Sequence, residues 1–174
     1  MDEGIKIVGQ LMKLSAKTAP KAMGQDMLEL KFVMGEEKDI IARDMLNYAK
    51  EHDNPGYTRD GNNLKEAKGC LLIGLKRHSG LGLNCGACGF SSCEEMSSAA
   101  RNESSYEGPN CAIRVTDLGI ALGSAVKTAT DHNVDNRIMY RIGTSVIRLR
   151  LMDASIVYGI PLSATGKNIF FDRK

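Results

Sequence analysis

Apolar side chains recur at gaps of three and four residues from Ile5 through Val8, Met12 and Ala16 to Ala19. That is the period of a helix with one buried stripe, and it predicts a helix over residues 3–19. Pro20 and Gly24 stop the pattern and leave 18–26 as a loop. The period then changes to two: Leu28, Leu30, Phe32 and Met34 share one side of 28–34 and Glu29 and Lys31 the other, as in a half-buried strand. The helical period returns over about 36–51, with Ile41, Met45 and Tyr48 on one face, until Asn54, Pro55 and Gly56 break it. A short polar helix is expected over 61–68. Cys70 to Leu75 is almost continuously apolar and reads as a strand buried on both faces. Val115, Leu118, Leu122, Ala125 and Ala129 predict a helix over 112–130. A further helix is expected over 136–150 and a strand over 154–160, followed by a tail from Pro161. Helices interspersed with three strands place the chain in the α+β or α/β class, as a single domain over 1–174.

Composition narrows the function classes. A chain of 174 residues buries about 68–70% of its unfolded surface, so it needs no metal merely to fold. The net charge of +2 is too small to imply a nucleic-acid partner, and the scattered lysines and arginines read as solvated surface. Met1-Asp2-Glu3-Gly4 does not begin a secretory signal. No stretch approaches 18 apolar residues, so no membrane partner is expected. The expected location is cytoplasmic, where clustered cysteines point to metal ligation or redox chemistry rather than to disulfides.

The chemistry concentrates in Gly82-Leu83-Asn84-Cys85-Gly86-Ala87-Cys88-Gly89-Phe90-Ser91-Ser92-Cys93. Two residues separate the first two cysteines, four the next pair, and seventeen lie before Cys111. Three ligands on a tight loop wrap one edge of a cubane cluster, and the fourth arrives from further along the chain. Four thiolates, from Cys85, Cys88, Cys93 and Cys111, are what a [4Fe-4S] cluster requires. Gly86 and Gly89 let the backbone bend sharply and approach inorganic sulfide. Ser91 and, three residues on, Glu94 resemble a capping box that starts a helix near Cys93, running through Met96, Ala99 and Ala100. A four-cysteine zinc site is the alternative. Such sites more often pair two CxxC knuckles, and only one is present here. Cys70 lies in the apolar strand and reads as a small buried hydrophobe.

With those residues in view, 81–111 resembles the four-cysteine iron–sulfur domain of Rnf-complex B subunits and of corrinoid iron–sulfur proteins. In that group a proline often follows the last cysteine, where Ala112 stands here. The whole chain resembles an uncharacterised prokaryotic family of "ferredoxin domain-containing" proteins. That likeness is carried by Thr18-Ala19-Pro20-Lys21 with Gly24, Asn84 to Cys93, Val134-Asp135-Asn136-Arg137, Gly159-Ile160-Pro161-Leu162-Ser163 and Gly166-Lys167. A third resemblance is to FMN-dependent nitroreductases, in the order of Ala19-Pro20, Asp117-Leu118-Gly119 and the closing Gly159-Ile160-Pro161. It implies an α+β homodimer, a nitroreductase-like sheet with flanking helices, and an iron–sulfur loop inserted before the central helix. It also makes Lys17, Lys21, Lys167 and Arg173 candidates for a flavin phosphate, against their reading as surface cations.

Other groups add little. His52, His78 and His132 are not at metal spacing and read as surface histidines. Lys76, Arg77 and His78 form either a solvated loop or a contact for an acidic redox partner. Asn136 and Arg137 read as a structural pair or a site pair. Gly119 and Gly123, with Ala121 and Ala125, permit close helix approach, in the core or between two copies. Two functions follow. One is a redox protein whose [4Fe-4S] cluster exchanges single electrons with a partner protein or small molecule and relays them to FMN if a flavin is bound. The other is a non-catalytic interaction module stapled by zinc or an iron–sulfur cluster. Lewis-acid chemistry at an open iron needs a three-ligand site, and four candidate ligands argue against it.

Overall fold

The computed structural model describes residues 1–171. Helix α1 (Asp2–Thr18) buries Ile5, Val8, Met12 and Ala16, the stripe read from the sequence. Strand β1 (Leu28–Met34) leads into α2 (Gly35–Glu51), α3 (Pro55–Glu66) and β2 (Gly69–Leu75). The chain then makes an excursion, residues 76–111, that holds α4 (Cys93–Ser98) and a ribbon of β3 (Asn102–Glu103) and β4 (Glu107–Gly108). It returns through α5 (Ala112–Asp131), β5 (Asp135–Asn136), α6 (Tyr140–Arg148) and β6 (Ile156–Ser163).

The main sheet is antiparallel throughout, in the order β1-β2-β6-β5. Leu28 pairs with Leu75 at one end and Met34 with Gly69 at the other. In the next pair, Leu75 faces Ile156 and Gly69 faces Leu162. Alternation along β2 sends Leu71, Ile73 and Leu75 into a core shared with α1 and α5. Cys70 and Leu72 enter a second core with α2, α3 and α6. This is why β2 has no polar face: helices cover both sides. Each fully buried Leu or Ile there contributes about 1.5–3 kcal/mol relative to exposure. The result is a mixed α/β framework of a four-stranded sheet with flanking helices.

Glycine sets the closest approach in the framework. A Cβ on Gly143 of α6 would lie 1.5 Å from the Val157 carbonyl oxygen, and one on Gly159 of β6 would lie 2.3 Å from Ile142 Cγ2. The two glycines face each other's elements and let helix backbone rest on strand backbone.

The structure corrects several boundaries. The helix expected over 61–68 begins at Pro55. Asn54 Oδ1 accepts from the N–H groups of Gly56 and Tyr57 at 3.1 and 3.3 Å, so Asn54-Pro55 is a helix start, with proline at its first position. The helix expected over 136–150 spans only 140–148, because Asp135 and Asn136 pair with Ser163 and Leu162 and Met139 bridges Gly159. Strand β6 runs on through Pro161 to Ser163 rather than ending at 160. Gly159 N–H donates to Met139 O, so two residues on the Pro161 nitrogen faces the same side. There the flanking pairing is interrupted between Asn136 and Met139, and no ladder bond is lost.

Candidate functional site

Leu75, Leu28 and Ile156 end or begin their strands at one edge of the framework, and everything the sequence singled out between 81 and 111 leaves from that end. Lys76 N–H donates to Met27 O at 3.0 Å and carries β2 out of the sheet. The loop that follows owes its shape to left-handed backbone at Gly82, Asn84, Gly86 and Gly89, three of them glycines that adopt it without a Cβ penalty. Gly89 N–H closes a tight turn onto Gly86 O at 2.9 Å. Asn84 ties the two ends together: its Oδ1 accepts the Cys93 N–H at 2.8 Å, and its own N–H donates to Cys93 Sγ at 3.4 Å. Opposite Cys93 stands Gly80, where a Cβ would come within 2.6 Å of Cys93 Cβ and 3.0 Å of its Sγ.

Cys93 is the first residue of α4, which ends at Ser98, short of the expected Ala99 and Ala100. The capping box sits one position later than Ser91–Glu94. Ser92 Oγ accepts the Glu95 N–H at 3.1 Å, and the Glu95 carboxylate takes the Ser91 N–H and hydroxyl at 2.9 and 2.6 Å. The Ser91 hydroxyl and N–H hold the Glu95 carboxyl below its usual range. Beneath the loop, Leu81, Met96 and Cys111 are buried together, with Cys88, Phe90, Ala22 and Ile113 packed on them. Cys88 and Cys111 therefore share one small apolar nest, Cys93 lies under Gly80, and Cys85 is exposed. All four thiols are free. Among the described residues, no three His, Cys, Asp or Glu side chains converge as for a single metal ion.

Cys111 is the N-cap of α5, a 20-residue helix with no side-chain cap and no acid in its first turn. Its N-terminal N–H groups and dipole are thus left for an anion. One residue missed from the sequence is His78. Its Nε2 accepts the Cys111 N–H at 3.1 Å while its Nδ1 lies 2.8 Å from Lys76 O, which fixes the neutral tautomer with the proton on Nδ1. Burial pushes the His78 pKa down, and the charges of Arg114 and Arg101 add to this. Arg114 escaped pattern reading and Asp117 entered only through the nitroreductase resemblance, because both interrupt the apolar stripe of α5. Arg114 and Asp117 are 4% and 5% exposed. The guanidinium donates to Gln25 O and Oε1 at 3.0 and 2.6 Å, and Asp117 Oδ1 accepts the Ala22 N–H at 2.9 Å. Arg114 Nε and Asp117 Oδ2 are buried without a partner. These residues bind the 20–26 loop to the helix that carries Cys111.

The outer strap is held by Glu107, buried between Arg77 (2.7 Å) and Arg101. Burial alone raises its pKa, but hydrogen bonds and charge from Arg101 and Arg77 outweigh this and keep it below the usual carboxylate range. Arg77 also pairs with Asp153, so 76–78 is an anchored turn rather than a solvated loop.

Among the described residues, Lys167 does not join Lys17 and Lys21, the other cations proposed for a flavin phosphate, within one chain. Lys21 spends all three ammonium donors on the carbonyls of Ala16, Lys17 and Ala19 at 2.7–2.8 Å, closing the end of α1. Lys17 pairs with Asp26. Lys167 follows β6 at the opposite end of the sheet, beyond the Ser163–Asp135 pair, about 20 Å away at the rise of a seven-residue strand. Arg173 lies outside the described residues. Asn136 and Arg137 are structural: Asn136 donates to Val134 O, and Arg137 donates to Phe170 O and lies over the Phe171 ring. Cys70 is fully buried at the Gly69 end of β2, away from the other cysteines, and burial pushes its pKa to about 12.

With this geometry in hand, the similarities to known proteins can be weighed. In solved structures the fold is similar to the FMN-dependent nitroreductase of Mycobacterium smegmatis, at a TM-score of 0.59 and 11% identity, covering 92% of this chain and 78% of that one. A Sphingopyxis-type nitroreductase described as FMN- and NADPH-dependent gives 0.61 at 11% identity, over 97% and 83%. Nitroreductase A of Vibrio parahaemolyticus gives 0.55 at 13%, and this chain spans 59% of its length. At these identities the likeness concerns the fold, and the nitroreductase-like sheet expected above is present. In sequence, an uncharacterized protein of Archaeoglobus fulgidus is 47% identical over 172 residues, 99% of this chain and 93% of that one. Residues 107–173 match the family described as "Uncharacterized protein containing a ferredoxin domain", a stretch that includes Cys111 but not Cys85, Cys88 or Cys93. The chain belongs to one family with this archaeal relative, and its C-terminal part carries the match to the ferredoxin-domain family.

Proposed function

We propose that the protein is an iron–sulfur redox protein that binds one [4Fe-4S] cluster through Cys85, Cys88, Cys93 and Cys111. The observation that carries this reading is four unpaired thiols on the segment from the glycine-turned loop to the bare N-terminus of α5, with Cys88 and Cys111 in one apolar nest. A zinc ion draws its four sulfurs to about 2.3 Å from a single point, whereas a cubane gives each thiolate its own iron. A single CxxC pair with two more distant cysteines, and Cys88 beside Cys111 in one nest, suit the cubane. The chain's other groups fit the charge. Four thiolates make the site anionic, and it faces the positive end of α5 and the buried Arg114 one turn on. His78 holds the Cys111 backbone in place. When bound, the cluster supplies one-electron transfer, to or from a partner protein or a small molecule.

The flavin half of the reading rests on the fold alone: FMN is named for the structural neighbours, and among the described residues Lys167 does not join Lys17 and Lys21 within one chain. A homodimer is part of the proposal. Val115 and Ile120 are 36% and 40% exposed on α5, which also carries the open Gly119 and Gly123, and Ile7 and Leu14 are exposed on α1. A monomer by light scattering removes that part.

The decisive experiment is a visible spectrum of anaerobically purified protein before and after dithionite, with iron and sulfide analysis. A broad band near ~400 nm that bleaches, with four irons per chain, is expected. A colourless protein carrying zinc overturns the assignment in favour of a structural module. Flavin peaks in the same spectrum decide the FMN question.

A further inference from the structure

The excursion and the framework enclose a cavity of about 410 Å³ between the strap around Tyr106 and the connection from α6 to β6. Its floor is apolar, from Ile147, Met152 and Ala154. Its polar groups are uneven in their engagement. Glu107 and Asp153 are already paired with Arg77. Tyr106 donates to Tyr140 O at 2.9 Å and to Val157 O, which pins the strap over the floor. Arg150 is different. It sits in left-handed backbone, φ 54°, right after α6, a conformation costly for a residue with a Cβ. Arg150 lines the cavity and, among the described residues, forms no ion pair with a carboxylate. Ser104 lines it too.

We infer that this cavity is a binding site for a small organic carboxylate, with the anion on Arg150 and the body on Ile147, Met152 and Ala154. A planar guanidinium fork matches a carboxylate. The two acids of the wall balance Arg77 and Arg150 in formal charge, which favours a monoanion with an apolar body over a multiply charged phosphate. The volume suits one aromatic ring or a short chain. The cavity also borders the candidate cluster site. Arg77 of its wall precedes His78, which holds the Cys111 N–H, and Asn110, next to Cys111, donates to Glu107 O. A ligand there would sit on the side of the excursion that Arg77 and Glu107 share with His78 and Asn110. The binding claim itself does not depend on the cluster.

The test is calorimetric titration of the full-length protein, as purified, with sodium benzoate, benzamide and inorganic phosphate. Saturable binding of benzoate, with benzamide and phosphate at least about tenfold weaker, is expected. Arg150→Met keeps the aliphatic stem and should weaken benzoate about tenfold or more. Arg150→Lys should fall between the two, since it keeps the charge and loses the fork. Unfolding midpoint and iron content are read on each variant, and neither should change. Absence of benzoate binding, equal binding by R150M, or phosphate binding as tightly as benzoate each overturns the inference. A colourless protein that still binds benzoate through Arg150 removes the cluster reading and leaves this one standing.

Discussion

Between Gly69 and Leu75 every residue of β2 is buried. In the next 35 residues, from Lys76 to Asn110, the buried residues among those described are Leu81, Met96 and Glu107. The framework is fixed by apolar surface on both faces of a sheet, with glycines where backbones touch. The excursion has a three-residue core and a six-residue helix. It is shaped instead by polar ties: Asn84 to Cys93, Ser92 to Glu95, and Glu107 to two arginines. One region carries its own stability. The other is held at its ends and depends on what its side chains bind. A redox site has a use for such an arrangement, because cofactor-loop geometry is set by ligands while the scaffold stays rigid.

The framework is most vulnerable at its tightest contact. Gly143→Ala places a Cβ 1.5 Å from the Val157 carbonyl oxygen, and neither backbone can yield without parting α6 from β6. A loss of more than about 4 kcal/mol is expected, seen in urea denaturation. A G143A protein of near-normal stability would show that α6 is not seated on β6 as described.

Cys88→Ser acts on the other side of the comparison. Most visible absorbance should disappear while far-UV circular dichroism and the framework's unfolding midpoint hold to within about 1 kcal/mol. Hydrogen exchange separates the regions: amides from about 80 to 100 should exchange much faster in C88S, and those of 69–75 should remain protected. Protection lost equally in both regions would mean that the excursion supports the sheet, contrary to the contrast drawn here.

How far this contrast was legible follows from where the information lies. The stripe of α1, the alternation of β1 and the apolar run of β2 are periodic signals and predicted their elements closely. Where pairing decides, the pattern fails. Asp135 and Asn136 are polar and form β5 only because β6 lies beside them, and Pro161 is tolerated only because its nitrogen faces a gap in the ladder. Asn54-Pro55 carries start and stop signals at once, and only its side-chain bonds show which applies. The cysteine spacing was plain in the sequence. His78, Arg114 and Glu107, which hold the segment in place, were not, because each acts through a partner about 30 to 90 positions away.

Glu107 offers a smaller, pH-dependent test of the excursion's polar hold. Its folded pKa lies below the ordinary value, so its contribution is complete above the unfolded value of about 4.3 and fades as pH falls through the folded pKa. Local opening of the 101–110 strap, followed by hydrogen exchange, should increase below about pH 4. Glu107→Gln should open the strap at neutral pH, at a cost of about 1–3 kcal/mol given that Arg77 is half exposed, and should remove the acid dependence. A strap whose protection is as pH-sensitive in E107Q as in the parent would place its hold elsewhere.

The smallest effect concerns which serine starts α4. Ser92 Oγ caps the Glu95 N–H, whereas Ser91 meets the Glu95 carboxylate through both its hydroxyl and its backbone N–H. Ser92→Ala removes the cap and should destabilise the helix by about 1 kcal/mol, read as faster exchange of the Glu95 and Met96 amides. Ser91→Ala removes only the exposed hydroxyl, and its backbone N–H still reaches Glu95, so the same amides should change less. The order of these two effects is the measurement, since both are small. If S91A proves the more damaging, α4 starts one residue earlier, with Ser91 as its cap. Cys93 then moves from the first to the second position of the helix, and its thiol turns by about 100° around the axis, away from Gly80 and the Asn84 N–H.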